Sequence, residues 1–250
     1  MPQDNPLNYD SLLDAAHVWQ LFNDDIHPAD LRKNCWNWLS PNEKARNELF
    51  RTEELRVADL ATRALCRATL SHYTNVNPAD WVFRRGKYGK PKISAPAEFS
   101  KLRFNLAHTH GLVICLVSRA GEVGVDVEEM NREVDIESIA ANFLSPEEYA
   151  RIKSLSSTER AARFFSQWVL KEAYLKGRGL GLTGAPERFA VKTDENGSPL
   201  PMGNWQLNLS YPSPKYVAAT AIRKPLGGGP IPIKWLDTGQ LFKTRVAIER

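Results

Sequence analysis

Val123, Val125 and Val127 alternate with Gly124, Asp126 and Glu128, a period of two that predicts a strand with its valines buried and both acids on the opposite face. Further along, Ala161, Phe164, Phe165, Trp168 and Leu175 recur at spacings of three and four, which predicts a helix, with Ser156 and Glu159 as a capping box before it. Glu172 falls inside that apolar stripe, so its carboxylate points inward or into a cleft, where an unpaired charge is costly. Phe104, Leu106 and His108 share one face of another expected strand, which ends at the turn Thr109-His110-Gly111. The longest apolar runs, Leu112 to Val117 and Tyr216 to Ile222, fall far short of the ~18 residues that span a bilayer.

An internal repeat organises these elements. Leu39-Ser40-Pro41-Asn42-Glu43-Lys44-Ala45-Arg46 returns at an offset of 105 as Leu144-Ser145-Pro146-Glu147-Glu148-Tyr149-Ala150-Arg151. At the same offset the helix of Leu65, Ala68 and Leu70 faces that of Leu170, Ala173 and Leu175, which sets Arg67 opposite Glu172 and Leu21 near Asp126. Trp81-Val82-Phe83, Asn105-Leu106 and Val113 to Val117 then answer Phe189-Ala190-Val191, Asn208-Leu209 and Val217 to Ala221. Matched order predicts an α+β fold of two similar tandem halves, residues 1–121 and 122–225, packed as an intramolecular pseudo-dimer, with 226–250 a tail of unknown role. The functional residues are not duplicated, so a single site is expected, with acids from the second half and base from the first.

Composition narrows the classes. The net charge of +4 is too mild for a non-specific nucleic-acid binder but suits an acidic partner or a phosphorylated ligand. Cys35, Cys66 and Cys115 are odd in number and set among apolar residues, which reads as reduced core thiols. The N-terminus has neither a cationic lead nor an apolar segment, so the expected location is the cytoplasm, with no membrane partner, and the internal pseudo-dimer makes a monomer the default state.

Asp126 and Glu128 sit two residues apart, roughly 6.6 Å between Cα atoms at strand rise. Like charges that close disfavour joint ionisation unless a cation stands between them, and a divalent metal is the simplest such cation. A plainer reading pairs Glu172 with Lys176 one turn on and leaves the strand acids solvated. His108 is likewise read either as a satisfied core residue or as a ligand contact. Gly179-Leu180-Gly181-Leu182-Thr183-Gly184 spells a dinucleotide fingerprint but follows a helix, so it reads as a helix C-cap and turn.

Gly124-Val125-Asp126-Val127-Glu128 and Trp168-Val169-Leu170-Lys171-Glu172-Ala173-Tyr174-Leu175-Lys176 resemble the 4'-phosphopantetheinyl transferases of the larger, pseudo-dimeric surfactin-synthetase-activating type. Gly89-Lys90-Pro91 and Phe104-Asn105-Leu106-Ala107-His108 lie upstream in the family's order. The resemblance covers roughly residues 17 to 223 and implies transfer of 4'-phosphopantetheine from coenzyme A to a serine of an acidic apo acyl or peptidyl carrier protein, with release of 3',5'-ADP. The carrier would belong to fatty-acid, polyketide or nonribosomal peptide synthesis. The resemblance also implies Mg²⁺ held by Asp126, Glu128 and Glu172, with Glu172, Lys176 and Asp126 as the catalytic group. Lys90 and His108 match positions that contact coenzyme A phosphates, and Arg51 and Lys44 are further candidates. Ala107 departs from the serine found in some members. The alternatives are a Mg²⁺-dependent phosphohydrolase or nuclease using the same carboxylates, or a non-catalytic module that binds an acidic protein.

Overall fold

A computed structural model describes residues 7–25, 27–181, 186–238 and 241. The described residues fall into two compact units: the first holds the chain up to Arg84, Pro91–Ala120 and the segment from Pro232, the second Arg85–Lys90 and Gly121–Ile231. In chain order the elements of the first half are β1 (Ala16–Phe22), α1 (Pro28–Cys35), α2 (Pro41–Glu48), α3 (Glu53–Thr74), β2 (Val82–Arg85), β3 (Pro91–Ala95), β4 (Arg103–Thr109) and β5 (Leu112–Ser118). The second half supplies β6 (Val123–Glu129), α4 (Ile136–Phe143), α5 (Pro146–Lys153), α6 (Ser157–Arg178), β7 (Trp205–Ser213) and β8 (Tyr216–Arg223), before β9 (Ile233–Asp237).

The repeat seen in the sequence is a repeat of structure. The sheets run β4-β5-β1 and β7-β8-β6 in corresponding order, antiparallel throughout, and β9 adds to the first as a parallel neighbour of β1. Ser40 and Ser145 each cap a helix reciprocally with the glutamate three residues on, Glu43 and Glu148. The long helices α3 and α6 have 22 residues each and end on left-handed caps, Asn75 at φ 57° and Gly179 at φ 70°. One helix face packs on each sheet: Leu60, Leu65 and Ala68 meet Trp19, Leu21, Cys115 and Val117 in the first unit, while Phe165, Val169 and Ala173 meet Val217, Ala219 and Ala221 in the second.

Strand register refines the correspondence. Trp19, Leu21 and His17 pair with Cys115, Val113 and Val117, and Asp126, Glu128 and Gly124 pair with the equivalent Ala219, Val217 and Ala221. Asp126 therefore answers Trp19, and Leu21 answers Glu128 in place of Asp126. The connection into the long helix is also one residue shorter in the second half, which moves the helical offset from 105 to 104. The counterpart of Arg67 is thus Lys171, and that of Glu172 is Ala68. Chemistry confirms the shift, because Arg67 Nη2 lies 2.6 Å from Glu43 and Lys171 Nζ 2.5 Å from Glu148, each cation buried and gripping the glutamate of its own capping box. Arg67 also donates to Pro78 O and Trp81 O, so it is a structural cation and the expected division of acid and base between halves does not extend to it.

Two further expectations change. Ser156 makes no side-chain cap to the backbone of α6; its hydroxyl donates to Glu159 Oε2 at 2.5 Å, leaving half of the capping box unmade. Of the segment 226–250, Ile233–Asp237 forms β9, and residues 239, 240 and 242–250 lie outside the described residues, as do Leu182 to Gly184 of the glycine motif. Gly179 closes α6 as expected. The three cysteines are buried free thiols. Among the described residues no helix is long and apolar enough to cross a membrane.

Candidate active site

The acids of β6 share one face, and that face lies under α6. Gly124 makes this possible: a Cβ there would stand 2.0 Å from Ala173 O and 2.3 Å from Gly177 N, so only a glycine lets the helix backbone come down on the strand. Val123, Val125 and Val127 are buried on the other face. Asp126 and Glu172, each 6% exposed, are held in the covered seam between strand and helix, so the plainer reading of solvated strand acids does not hold for Asp126.

Within the seam, Lys176 Nζ donates to Asp126 Oδ1 at 2.6 Å. Glu128, at the end of β6, pairs with Arg132 at 3.3 Å. Glu172 lies one turn before Lys176, and its Oε1 is buried with no hydrogen-bond partner. Burial raises the Glu172 carboxyl to about 7; the charge of Asp126 pushes the same way, Lys176 pulls it down, and Glu128 adds a further upward push. Glu172 therefore feels both strand carboxylates. The i,i+4 pairing of Glu172 with Lys176 that the sequence allowed is replaced by a contact to the strand.

Among the described residues no group of three or more His, Cys, Asp or Glu side chains is already arranged to hold a metal. Asp126 and Glu128 are instead held by Lys176 and Arg132. The donor set still fits a hard divalent cation, because it offers carboxylate oxygens alone, one of them a buried acceptor with nothing to accept.

The remaining candidates lie elsewhere on their own units. Lys90 Nζ is engaged within the second unit, by Val123 O at 2.8 Å, Gly177 O at 2.9 Å and Glu122 Oε2 at 3.2 Å. In the first unit His108 is exposed at the end of β4 opposite Val113. Arg51 is exposed just after α2, and Lys44 is half-buried with its ammonium 5.8 Å from the Trp36 ring. Of the other basic residues, Arg63 is held by Asp59 and Glu43, and Arg56 by Glu53 and Phe50 O.

Sequence reasoning passed over three contributors. Gly124 and Gly177 set the approach of strand and helix, and a glycine inside a strand is itself the signal for such an approach. Lys171, next to Glu172, sits in a network in which Glu148 also accepts from Gln167 and from Val191 N, while Lys171 donates to Phe143 O. The sequence signal for it was Arg67, once the helices are aligned by their caps.

Comparison with known proteins bears directly on this arrangement. Residues 122–221 match the family model of the 4'-phosphopantetheinyl transferase superfamily, and residues 30–120 that described as 4'-phosphopantetheinyl transferase, N-terminal. The chain is 32% identical over 218 residues to the 4'-phosphopantetheinyl transferase HetI of Nostoc sp., covering 87% of this chain and 91% of that protein. It is 31% identical over 194 residues to a phosphopantetheinyl transferase of Thraustochytrium sp., covering 72% and 67% of the two chains. With the 4'-phosphopantetheinyl transferase Sfp of Bacillus subtilis it shares 27% identity over 161 residues, 64% and 69% of the two chains. The acid-bearing seam lies inside the first matched segment, and with a relative above 30% identity matched along nearly its whole length, the chain belongs to the 4'-phosphopantetheinyl transferases.

Proposed function

We propose that this transferase moves 4'-phosphopantetheine from coenzyme A to a serine hydroxyl of an acidic apo acyl or peptidyl carrier protein, in a Mg²⁺-dependent reaction that releases 3',5'-ADP. The observation that carries the reading is the convergence of Asp126, Glu128, Glu172 and Lys176 on one strand–helix seam, with Glu172 held near neutrality. Asp126, Glu128 and Glu172 would hold Mg²⁺, which would supply positive charge to the pyrophosphate of coenzyme A.

The protein's own groups do the rest. Glu172, whose carboxyl is raised by burial to about 7 in the metal-free chain, is the candidate to take the proton of the attacking serine, directly or through water. The serine oxygen bonds to the β-phosphorus, the bond from that phosphorus to the bridging oxygen breaks, and the bridging oxygen leaves as part of 3',5'-ADP. Lys176, beside Asp126, is placed to offset charge that grows on the phosphoryl oxygens. Exposed His108 and Arg51 and half-buried Lys44 are the first unit's candidates for the coenzyme A phosphates. The net charge of +4 favours an acidic acceptor.

Intact mass spectrometry of an apo carrier protein, incubated with the enzyme, coenzyme A and Mg²⁺, tests this directly. Addition of one phosphopantetheine is expected, and Glu172→Ala or Asp126→Ala should slow it by about a thousandfold. An acceptor of unchanged mass, or variants as fast as wild type, would sink the reading.

A further inference from the structure

The turn Gly86–Lys90 joins β2 to β3, yet by its contacts it groups with the second unit. Its last side chain gives the reason. Among the described residues, three acceptors lie within hydrogen-bond distance of Lys90 Nζ. Two of them are backbone carbonyls at a single crossing: Val123 opens β6 beside Gly124, and Gly177 lies in the last turn of α6, where helix carbonyls carry partial negative charge. Since a Cβ on Gly124 would lie 2.3 Å from Gly177 N, the lysine clasps strand and helix at the place where their backbones touch. A Cβ built on Gly179 would lie 3.8 Å from Lys90 Cδ, so the lysine stem also packs against the cap of α6.

From that clasp Asp126 is three residues along the strand from Val123, and Lys176 and Glu172 are one and five residues back along the helix from Gly177. Whatever fixes the crossing fixes the separation of these groups. We propose that Lys90 is a positioning residue, which sets the spacing of β6 and α6 and thereby the alignment of Asp126 and Glu128 with Glu172 and Lys176. The resemblance assigns it to a coenzyme A phosphate. The catalytic half of the proposal rests on the function proposed above, whereas the clasp itself does not.

Lys90→Met, with its fold checked by circular dichroism, separates the two roles. In the chain free of metal and coenzyme A, hydrogen exchange at Gly124 to Asp126 and at Leu175 to Arg178 should quicken about tenfold, with β5 unchanged. In transfer assays kcat should fall about tenfold or more while KM for coenzyme A moves less than about threefold. Should Lys90→Met fail to fold, Glu122→Gln, which keeps both carbonyl contacts, is expected to show the same pattern at about threefold. Unchanged exchange, or a KM for coenzyme A raised about tenfold at constant kcat, would overturn the proposal and return Lys90 to phosphate binding. A wild-type enzyme that transfers nothing would overturn the function instead, and the exchange result would still decide the clasp.

Discussion

The seam between strand and long helix is built twice in this chain, with opposite contents. In the first unit His17 Nδ1 lies 2.7 Å from the Tyr73 hydroxyl, and Trp19 meets the edge of His72 with ring centroids 5.1 Å apart. At the equivalent positions the second unit has Gly124 against Gly177 and Asp126 against Lys176. Aromatic rings fill the first seam. Glycines draw the second together and leave its polar residues to face one another. Ala68, in the place of Glu172, completes the contrast. One repeated geometry thus holds aromatic packing in one unit and buried polar groups in the other, while the supporting ion pairs Arg67–Glu43 and Lys171–Glu148 are present in both.

That shared support gives the largest expected effect. Lys171→Met leaves Glu148 buried without its cation and should cost about 3–5 kcal/mol of stability, with Arg67→Met similar or smaller because Glu43 also holds Arg63. Lys171→Arg, the first unit's solution, should cost less than Lys171→Met. Urea denaturation of the variants measures this, and equal losses for Arg and Met at position 171 would break the equivalence of the two pairs.

A methyl group at the crossing comes next. Gly124→Ala places Cβ against Ala173 O and should cost about 1–3 kcal/mol, since neither backbone can yield locally. The same denaturation series reads it, and a neutral substitution would mean that the seam is looser than its geometry.

A pH dependence completes the series. Glu172 titrates near 7 in the fold against the ordinary 4.5, so the folded chain binds a proton that the unfolded chain releases between those values. Its contribution is therefore full below 4.5 and lost as pH rises through about 7. Relative to Glu172→Gln, the metal-free wild type should lose a few degrees of melting temperature across that window. Mg²⁺ should restore them at pH 8 and do little at pH 5. Parallel melting curves for the two proteins would sharpen the comparison against a charged second seam.

Much of this was legible in the chain. The Leu-Ser-Pro repeat carried the duplication because a capping box is local chemistry written in consecutive residues. The acids of β6 and Glu172 were legible through periodicity. What periodicity does not encode is which side of a strand a helix will cover, so it left the strand acids open to both a metal-bound and a solvated reading, although Gly124 had already made room for α6. The one-residue shortening before α6 hid the match of Arg67 with Lys171, since an offset read from one motif does not survive a change of loop length. The contacts of Lys90 were not legible for a different reason: its acceptors include main-chain carbonyls, and no sequence displays where a carbonyl points.

β9 runs parallel to β1, and Gln20 reaches Asp237 across 217 residues of chain. The first sheet therefore cannot reach its full width until the chain has been made through Asp237. During synthesis the outer rim of β1 waits with its amides unanswered, the condition under which nascent chains attract chaperones or each other. A truncation just before Ile233 would make that transient state permanent.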